Sequence, residues 1–218
     1  MALTELFGNV YRVEGRLATK SILPGKKAYT EDVVRIGKDE YRLWNPYRSK
    51  LAAAILNGLK HFEFKSGSSV LYIGAATGTT ASHVSDVVRD GRVYCIELSE
   101  RNMRELVRVC EDRANMLPIL ADARYTDTYK DMVEECDIVY QDASAREQAK
   151  ILIMNSKFLK KDGYAYFVIK SQSVDVSKDP KEVFESELAL LKDHFDVVEK
   201  VNLEPFDKLH MFVVLRKR

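Results

Sequence analysis

The feature that most constrains the fold is an apolar run that ends in a glycine-rich turn. Val70–Ile73 is followed by Gly74 and small residues up to Gly78, and Thr79 and Thr80 then begin a segment of helical character. This pattern predicts a buried strand that turns directly into a helix. The first turn of such a helix has free N–H groups and partial positive charge, which suits an anionic or carboxylate-bearing ligand.

A second predicted strand ends in an acidic residue. The run 92–96 is followed by Glu97, about 20 residues after Gly78, where nucleotide-binding α/β folds place the group that binds a ribose. The turn alone is a weak indication of a ligand. The turn and the acid together predict a nucleotide-like ligand at this edge of a sheet.

From Ser69 onward, predicted strands and helices alternate. After the first two strands, the predicted strands are 117–120, 137–141, 164–169, 195–203 and 210–215, and the predicted helices begin at Ser99, near Tyr129, at Ala145 and at Pro180. Repeated βα units predict a parallel sheet covered by helices on both faces. The short loop around Pro205 predicts an antiparallel hairpin at the end of this sheet. We therefore expect an α/β fold with a Rossmann-like sheet of the class I methyltransferase type.

The N-terminal part has a different pattern. Short β-type runs at 7–13, 16–22 and 41–44 are separated by turns and predict a small β-meander that is stable only when docked on the main domain. An amphipathic helix follows from about Pro46, with the apolar stripe Leu51, Ala54, Ile55, Gly58 and Leu59. We expect a small β-rich domain over residues 1–46 and the main domain over residues 47–218.

Composition excludes several classes of protein. The 218 residues are 46% hydrophobic and 31% charged, which is ordinary globular composition. No apolar run approaches the roughly 20 residues of a membrane span, and no secretory signal is recognisable, so we expect a cytoplasmic protein without a membrane partner. The three cysteines are scattered in apolar contexts and are expected to be reduced core thiols, and the four histidines lack the spacing of metal ligands.

The charge balance also bears on partners. The net charge is +1, which is not typical of a chain that binds nucleic acid strongly by itself. Residues 1–50 hold 10 Lys and Arg against 6 Asp and Glu, whereas the rest of the chain is slightly acidic. If RNA is the substrate, other molecules must supply much of the affinity.

Ligands of open α/β sheets bind beyond the carboxyl ends of the strands. The groups that the strands deliver there, with a lysine at the start of the first helix, are Gly74–Thr80, Glu97, Asp122–Ala123, Asp142, Lys170, His210 and Lys50. Each has a plain structural explanation as a helix cap, a solvated strand end, a polar loop or a lysine that reaches solvent. Three acids and a lysine at the ends of consecutive strands nevertheless favour a common site.

Five stretches of the chain resemble the fibrillarin family, in order and over nearly the whole length. They are Tyr41–Ile55, Val70–Asp86, Leu120–Arg124, Val168–Lys170 and Pro205–His210. The lack of a glycine–arginine-rich N-terminal tail makes the chain similar to archaeal members. The resemblance implies transfer of a methyl group from S-adenosyl-L-methionine to ribose 2′-hydroxyls of rRNA and tRNA, in a C/D-box guide-RNA ribonucleoprotein. It also implies a Nop-domain scaffold protein and a kink-turn-binding ribosomal-type protein as partners.

The resemblance implies roles for particular residues. The implied cofactor-binding residues are Gly74, Ala75, Gly78, Thr79, Thr80, Glu97, Leu98, Asp122, Ala123, Asp142, Ala143, Ser144 and Ala145. Among these, Thr79 and Thr80 would contact the methionine part, Glu97 with Leu98 the ribose, and Asp122-Ala123 the adenine. The implied catalytic group is Lys50, Asp142, Lys170 and His210.

A chemical argument assigns tasks within the catalytic group. A ribose hydroxyl is a poor nucleophile, so positioning and proton removal are the enzyme's main contributions to an in-line attack. We expect Lys170 to favour negative charge on the oxygen, Asp142 to orient that lysine and take the proton, and Lys50 and His210 to hold the ribose.

The chain departs from the family pattern at three positions. It has Asp142-Ala-Ser-Ala145 where Asp-Val-Ala-Gln is usual, Leu98 where an aromatic residue is common, and Leu209 where Asp often precedes the histidine. Three other functions stay open on the sequence: a free-standing methyltransferase, a nicotinamide-dependent oxidoreductase, and an interaction module without catalysis. The oxidoreductase is disfavoured because the turn lacks the Gly-x-Gly-x-x-Gly pattern.

Overall fold

The computed structural model describes residues 2–218, which form two sheets and six α-helices. The N-terminal sheet comprises β1 (Leu3–Phe7), β2 (Val10–Val13), β3 (Arg16–Lys20), β4 (Val33–Ile36) and β5 (Asp39–Leu43). The second sheet comprises β6 (Ser69–Ile73), β7 (Arg92–Glu97), β8 (Met116–Leu120), β9 (Cys136–Gln141), β10 (Leu159–Lys170), β11 (Phe195–Asn202) and β12 (His210–Lys217). The helices are α1 (Lys50–Leu56), α2 (Thr79–Val87), α3 (Glu100–Asp112), α4 (Gln148–Asn155), α5 (Ser171–Val174) and α6 (Pro180–Leu191).

The seven-stranded sheet has the order β11-β12-β10-β9-β6-β7-β8. Its strands β8, β7, β6, β9 and β10 are parallel, whereas β12 runs antiparallel to both β10 and β11. The predicted Rossmann-like sheet with a terminal antiparallel hairpin is confirmed. Alternate residues of β6 enter two separate apolar clusters, Val70 and Tyr72 on one face and Leu71 and Ile73 on the other. Both faces are therefore covered, which explains the uninterrupted apolar run in the sequence.

The N-terminal sheet is antiparallel with the order β1-β2-β3-β5-β4, so it is not the predicted simple meander. The predicted strand 7–13 is wrong, because the chain turns at Gly8 and Asn9, where Asn9 has a positive φ of 65°, and separates β1 from β2. Strand β4 was not predicted. It is a four-residue edge strand with three half-buried residues and the exposed Arg35, and its signal is too short to stand out from the adjoining turns.

Two predicted helices are shorter than expected. The first begins at Lys50 rather than Pro46, because Pro46–Arg48 forms a 3-10 turn and Ser49 then caps α1 by accepting a hydrogen bond from the N–H of Ala52. The predicted helix 145–158 is confined to Gln148–Asn155, with a 3-10 turn after it. Ala145 therefore lies in a loop.

The short helix predicted near Tyr129 consists of two 3-10 turns, Thr126–Thr128 and Lys130–Met132. Three other local expectations are met. Ser99 is the N-cap of α3 and accepts from the N–H of Asn102, and Pro180 is the first residue of α6. The three cysteines are buried and free. No helix within residues 2–218 combines the length and apolar character needed to cross a bilayer. We propose residue 46 as the domain boundary, since β5 has ended there; Met1 lies outside the described residues.

A buried ionic cluster joins the two sheets. Arg42 of β5 donates from Nη1 to Asp86 Oδ2 of α2 (2.7 Å) and from Nε to Glu31 Oε1 (2.7 Å). Arg113, just after α3, donates to the other carboxylate oxygen of Asp86 (2.8 Å). The side chains of Arg42 and Asp86 are 0% exposed. Buried charges are tolerated only when they are paired and hydrogen-bonded, so this cluster fixes how the N-terminal sheet sits on α2.

His83 lies beside this cluster as a neutral ring. It stacks on Trp44 with ring centroids 4.8 Å apart, and its two nitrogens contact the hydroxyls of Thr19 (2.8 Å) and Tyr29 (2.6 Å). The Thr19 hydroxyl donates to Asp86, so it accepts from His83 Nδ1–H. His83 Nε2 then accepts from Tyr29. Each polar atom of the ring is satisfied in the uncharged form.

Breaking the ionic cluster should destabilise the whole chain. We expect Arg42→Met to reduce the free energy of unfolding by about 3–5 kcal/mol, because it leaves the buried Asp86 with one partner fewer. The matched control is Arg16→Met, since Arg16 is exposed and lies 3.9 Å from the exposed Asp32. Urea unfolding monitored by circular dichroism measures both. Equal unfolding midpoints for the two variants would contradict this role of Arg42.

The neutral state of His83 predicts a pH dependence of stability. Burial lowers the pKa of His83 well below 6.5, and the charges of Arg42 and Arg113 lower it further. As the pH falls, the unfolded chain therefore protonates this histidine before the folded chain does. The free energy of unfolding then decreases below about pH 6.5, by at most about 1.4 kcal/mol per pH unit. We expect His83→Gln to show a smaller loss of unfolding free energy between about pH 7.5 and pH 5.5 than the unsubstituted chain. Identical losses would show that His83 is not the group responsible.

Candidate active site

The carboxyl ends of the central parallel strands border a cleft of about 660 Å³. The residues predicted to bind the cofactor that line it are Gly74, Glu97, Leu98, Asp122, Ala123, Asp142, Ala143, Ser144 and Ala145, and Lys170 lines it too. The edge of the sheet at which the sequence placed a ligand is therefore concave and large enough for a nucleoside-sized molecule.

Gly74 allows the first turn to approach the loop after β9. Its φ is +80°, and a Cβ there would lie 2.9 Å from the carbonyl oxygen of Asp142. The N–H groups of Gly74 and Ala75 donate to the Ile96 carbonyl, which ties the turn to the end of β7. Only glycine fits this position, because a side chain would be strained and would push the Asp142 loop away.

Glu97 is held at the end of β7 by main-chain donors. Its Oε2 accepts from the N–H of Ala76 (2.8 Å) and its Oε1 from the N–H of Ser99 (2.8 Å). Each carboxylate oxygen keeps a lone pair for another donor. The carboxylate is therefore a fixed pair of acceptors beside the cleft, which is the arrangement that two neighbouring ribose hydroxyls require.

The cleft is also lined by the charged side chain of Asp122 and the apolar side chain of Leu98. Asp122 accepts from Arg124 (2.6 Å between Oδ2 and Nη2), and this hydrogen bond lowers the pKa of Asp122. Leu98 is 61% exposed and lines the same cleft. This apolar side chain beside a polar cleft offers a packing surface for an aromatic ligand ring.

Four predicted cofactor residues are not among those that line the cleft: Ala75, Gly78, Thr79 and Thr80. Gly78 is the N-cap of α2 with a φ of 86°, and Thr79 begins the helix. Thr80 is buried, and its hydroxyl donates to Ser49 Oγ (3.0 Å), so it joins α2 to the N-cap of α1. A cofactor contact by these residues stays a prediction.

Three catalytic candidates, Lys50, Asp142 and Lys170, meet beside the cleft. Lys170 Nζ lies 2.8 Å from Asp142 Oδ1, and Lys50 Nζ lies 3.3 Å from Asp142 Oδ2. Lys170 also donates to the main-chain carbonyl of Asp142 (2.8 Å) and to Ser144 Oγ (3.1 Å). Within residues 2–218, Asp142 Oδ1 is close to Lys170 but makes no well-angled hydrogen bond, so it retains acceptor capacity.

Two stacked tyrosines lie near this group of charges. The rings of Tyr72 and Tyr140 are 4.4 Å apart and buried. Burial raises the pKa of both hydroxyls, and the charge of Asp142 raises them further. These hydroxyls therefore stay neutral and add no charge to the site.

His210 reaches the group through the strand register. It begins β12 and pairs directly with Lys170, the last residue of β10. Its Nδ1 hydrogen-bonds with Asp207 Oδ1, and Asp207 Oδ2 lies 3.7 Å from Lys50 Nζ. The four predicted catalytic residues are thus gathered at one place. Asp207 was missed, although its spacing three residues before a histidine was visible in the sequence.

Gln148 is a second residue that the sequence did not reveal. This buried side chain donates to the carbonyls of Ala145 (2.9 Å) and Lys170 (3.1 Å) and accepts from the N–H of Lys170 (2.9 Å). It holds the loop after β9 against the end of β10, which fixes the backbone that carries Lys170. A glutamine at the start of a helix gives no sequence signal for such a contact.

Comparison with known proteins identifies the family. Residues 2–218 match the family model described as Fibrillarin. The chain belongs to the fibrillarin family. A fibrillarin-like rRNA/tRNA 2′-O-methyltransferase of Methanocaldococcus jannaschii is 48% identical, with 97% of this chain and 95% of that protein covered.

Solved structures of fibrillarins share the fold closely. The fibrillarin pre-rRNA processing protein of Methanococcus jannaschii has a TM-score of 0.95 at 47% identity and covers 99% of this chain and 97% of its own. Aeropyrum pernix fibrillarin, solved with natively bound S-adenosyl-L-methionine, has a TM-score of 0.91 at 41% identity and covers 99% and 98%. A fibrillarin in complex with Nop5p also has a TM-score of 0.91, at 36% identity, and covers 99% and 100%.

The geometry of Glu97 leads to a binding prediction. We expect Glu97→Ala to weaken S-adenosylmethionine binding at least tenfold, equivalent to about 1.4 kcal/mol, because it removes both fixed acceptors. Titration calorimetry measures the affinity, and circular dichroism checks that the variant is folded. Glu100→Ala is the matched control, since Glu100 is exposed at the start of α3. Undiminished affinity in Glu97→Ala, or comparable binding of NAD by the unsubstituted chain, would contradict the assignment.

Proposed function

We propose that this protein is an S-adenosylmethionine-dependent RNA ribose 2′-O-methyltransferase that acts on rRNA and tRNA. In this proposal it is the catalytic subunit of a C/D-box guide-RNA ribonucleoprotein. The observation that carries the proposal is the Lys50–Asp142–Lys170 cluster beside a cleft that the fixed carboxylate of Glu97 also lines. The family relatives that bear the name of this activity support it.

The lining of the cleft fits the cofactor. The Glu97 carboxylate would bind the ribose hydroxyls, and Leu98 would pack on the adenine. Asp122 would accept a hydrogen bond from the adenine amino group, with Ala123 beside the ring. The turn at Gly74, which packs against the Asp142 backbone, would place the methionine part next to the catalytic cluster. When bound, S-adenosylmethionine supplies a methyl group on a positively charged sulfur.

The charged cluster then acts on the RNA hydroxyl. Lys170 Nζ, held by Asp142 and Ser144, stabilises the negative charge that develops on the 2′-oxygen during attack. Asp142, which is held between Lys50 and Lys170, takes the proton of that hydroxyl. Lys50 neutralises the other oxygen of Asp142 and, with His210, holds the sugar in line.

The same proposal names the partners. A net charge of +1 gives little electrostatic attraction for RNA, so a guide RNA and RNA-binding proteins would have to deliver the substrate. The relative solved with Nop5p supports a Nop-domain scaffold protein as one partner. We propose a kink-turn-binding ribosomal-type protein as the other, and the cytoplasm as the place of action.

The proposed role of Lys170 is tested by substitution in a reconstituted particle. We expect Lys170→Ala to reduce labelled-methyl transfer to RNA about 100-fold or more, because the developing charge loses its cation, while cofactor affinity is largely kept. Lys161→Ala is the matched control, because Lys161 is exposed on the same strand, β10. Near-normal turnover in Lys170→Ala would contradict the assignment.

The dependence on partners is tested in the same assay. The isolated chain should methylate RNA poorly, and addition of guide RNA, scaffold protein and kink-turn-binding protein should restore site-selective transfer. Strong site-selective activity of the isolated chain would favour a free-standing methyltransferase instead. Cofactor binding without transfer in the complete particle would favour a non-catalytic module.

A further inference from the structure

Asp207 fills the space between two halves of the catalytic group. On one side its Oδ2 lies 3.7 Å from Lys50 Nζ, and on the other its Oδ1 hydrogen-bonds with His210 Nδ1. Lys50 in turn contacts Asp142, which contacts Lys170. The side chains thus form a line in which carboxylates alternate with lysines and end at the imidazole. Its order is Lys170, Asp142, Lys50, Asp207 and His210. Apart from Asp207, the side chain of His210 has no hydrogen bond or ion pair with the other side chains of that line within residues 2–218.

The contact determines which nitrogen of His210 carries hydrogen. A carboxylate can only accept, so His210 Nδ1 must be the protonated nitrogen in the neutral ring. Its Nε2 is then an acceptor, and it has no hydrogen-bond partner within residues 2–218. The side chain is 22% exposed, and the residue pairs with Lys170 across the β10–β12 register. This free acceptor therefore lies on a solvent-accessible side chain next to the catalytic group.

We propose that Asp207 is a positioning residue for methyl transfer. It holds His210 in the Nδ1–H form, so that Nε2 can accept a hydrogen bond from an O–H or N–H group of the target RNA. It also provides Lys50 with a second carboxylate, which keeps the ammonium group between Asp142 and Asp207 rather than on Asp142 alone. This inference rests on the proposed function of the site.

The loop that carries Asp207 supports this assignment. The N–H groups of Phe206 and Asp207 both donate to the Leu203 carbonyl (2.9 and 3.0 Å), which forms a compact turn. The ring of Phe206 packs against Tyr47, with centroids 5.3 Å apart, just before α1. The turn is thus anchored to the segment that carries Lys50, and it presents Asp207 to Lys50 and His210 together.

The first test measures the His210 tautomer in the free full-length chain by ¹⁵N-resolved NMR of the imidazole. The unsubstituted chain should show the Nδ1–H form. Asp207→Ala should shift the ring mainly to Nε2–H, which is the form that free imidazole side chains prefer in water, and Asp207→Glu should restore Nδ1–H at least in part. The matched control is Glu204→Ala, because Glu204 is an exposed acid of the same loop. An unchanged tautomer in Asp207→Ala would overturn the proposal.

The second test measures turnover in the reconstituted guide-RNA particle. Asp207→Ala should lower kcat roughly 10- to 100-fold with little change in S-adenosylmethionine affinity, because the reacting groups are present but misplaced. Asp207→Glu should recover part of kcat, and Glu204→Ala should behave as the unsubstituted chain. Normal kcat in Asp207→Ala would overturn the positioning role. Failure of the unsubstituted particle to methylate RNA would overturn the proposed function, whereas the tautomer measurement needs no turnover and would still decide whether Asp207 orients His210.

Discussion

The carboxylate of Asp86, buried between two guanidinium groups, is the contact on which the arrangement of both sheets depends. Removing a carboxylate from water costs several kcal/mol unless cations and donors replace the solvent, and here Arg42 and Arg113 do so from two different elements. The N-terminal sheet cannot leave α2 without exposing Arg42 and leaving a buried charge behind. The small sheet is therefore part of the main fold in energetic terms, although it has its own short core.

That fixed helix also supports the site. The first turn of α2 follows Gly78 at the glycine-rich turn, and its Thr80 hydroxyl bonds to Ser49, the N-cap of α1. Lys50 is the first residue of α1. Lys50, which contacts Asp142, and the glycine-rich turn, which borders the cleft, are therefore both held in place by α2. This explains how Lys50 and the glycine-rich turn keep their positions, because both adjoin helices that burial holds in place.

The sequence was informative where function follows from sheet geometry. Glu97, Asp142 and Lys170 could be predicted to line one cleft because the carboxyl ends of parallel strands share an edge, and that rule needs only the order of the elements. The sequence was not informative where the contacts of a side chain depend on how the chain folds locally around it. Asp207 and Gln148 act through contacts with residues distant in the chain or across a turn, and no periodic pattern indicates them. Strand β4 was missed for a related reason, since a half-buried four-residue edge strand gains its stability from its neighbour β5.

The position before His210 shows how backbone conformation decides which residue can serve the site. The family resemblance leads one to expect an acid there, but Leu209 has a φ of 62°, its side chain is 45% exposed, and its carbonyl accepts from the N–H (3.2 Å) and hydroxyl (2.9 Å) of Ser171. Leu209 therefore anchors α5 through its main chain. The carboxylate that reaches the imidazole comes instead from Asp207, three residues back, because the turn closed on Leu203 brings that side chain over Nδ1. An acceptor on Nδ1 leaves Nε2 of the neutral ring as a free acceptor, and in this chain the conformation of the loop places the Asp207 carboxylate on Nδ1.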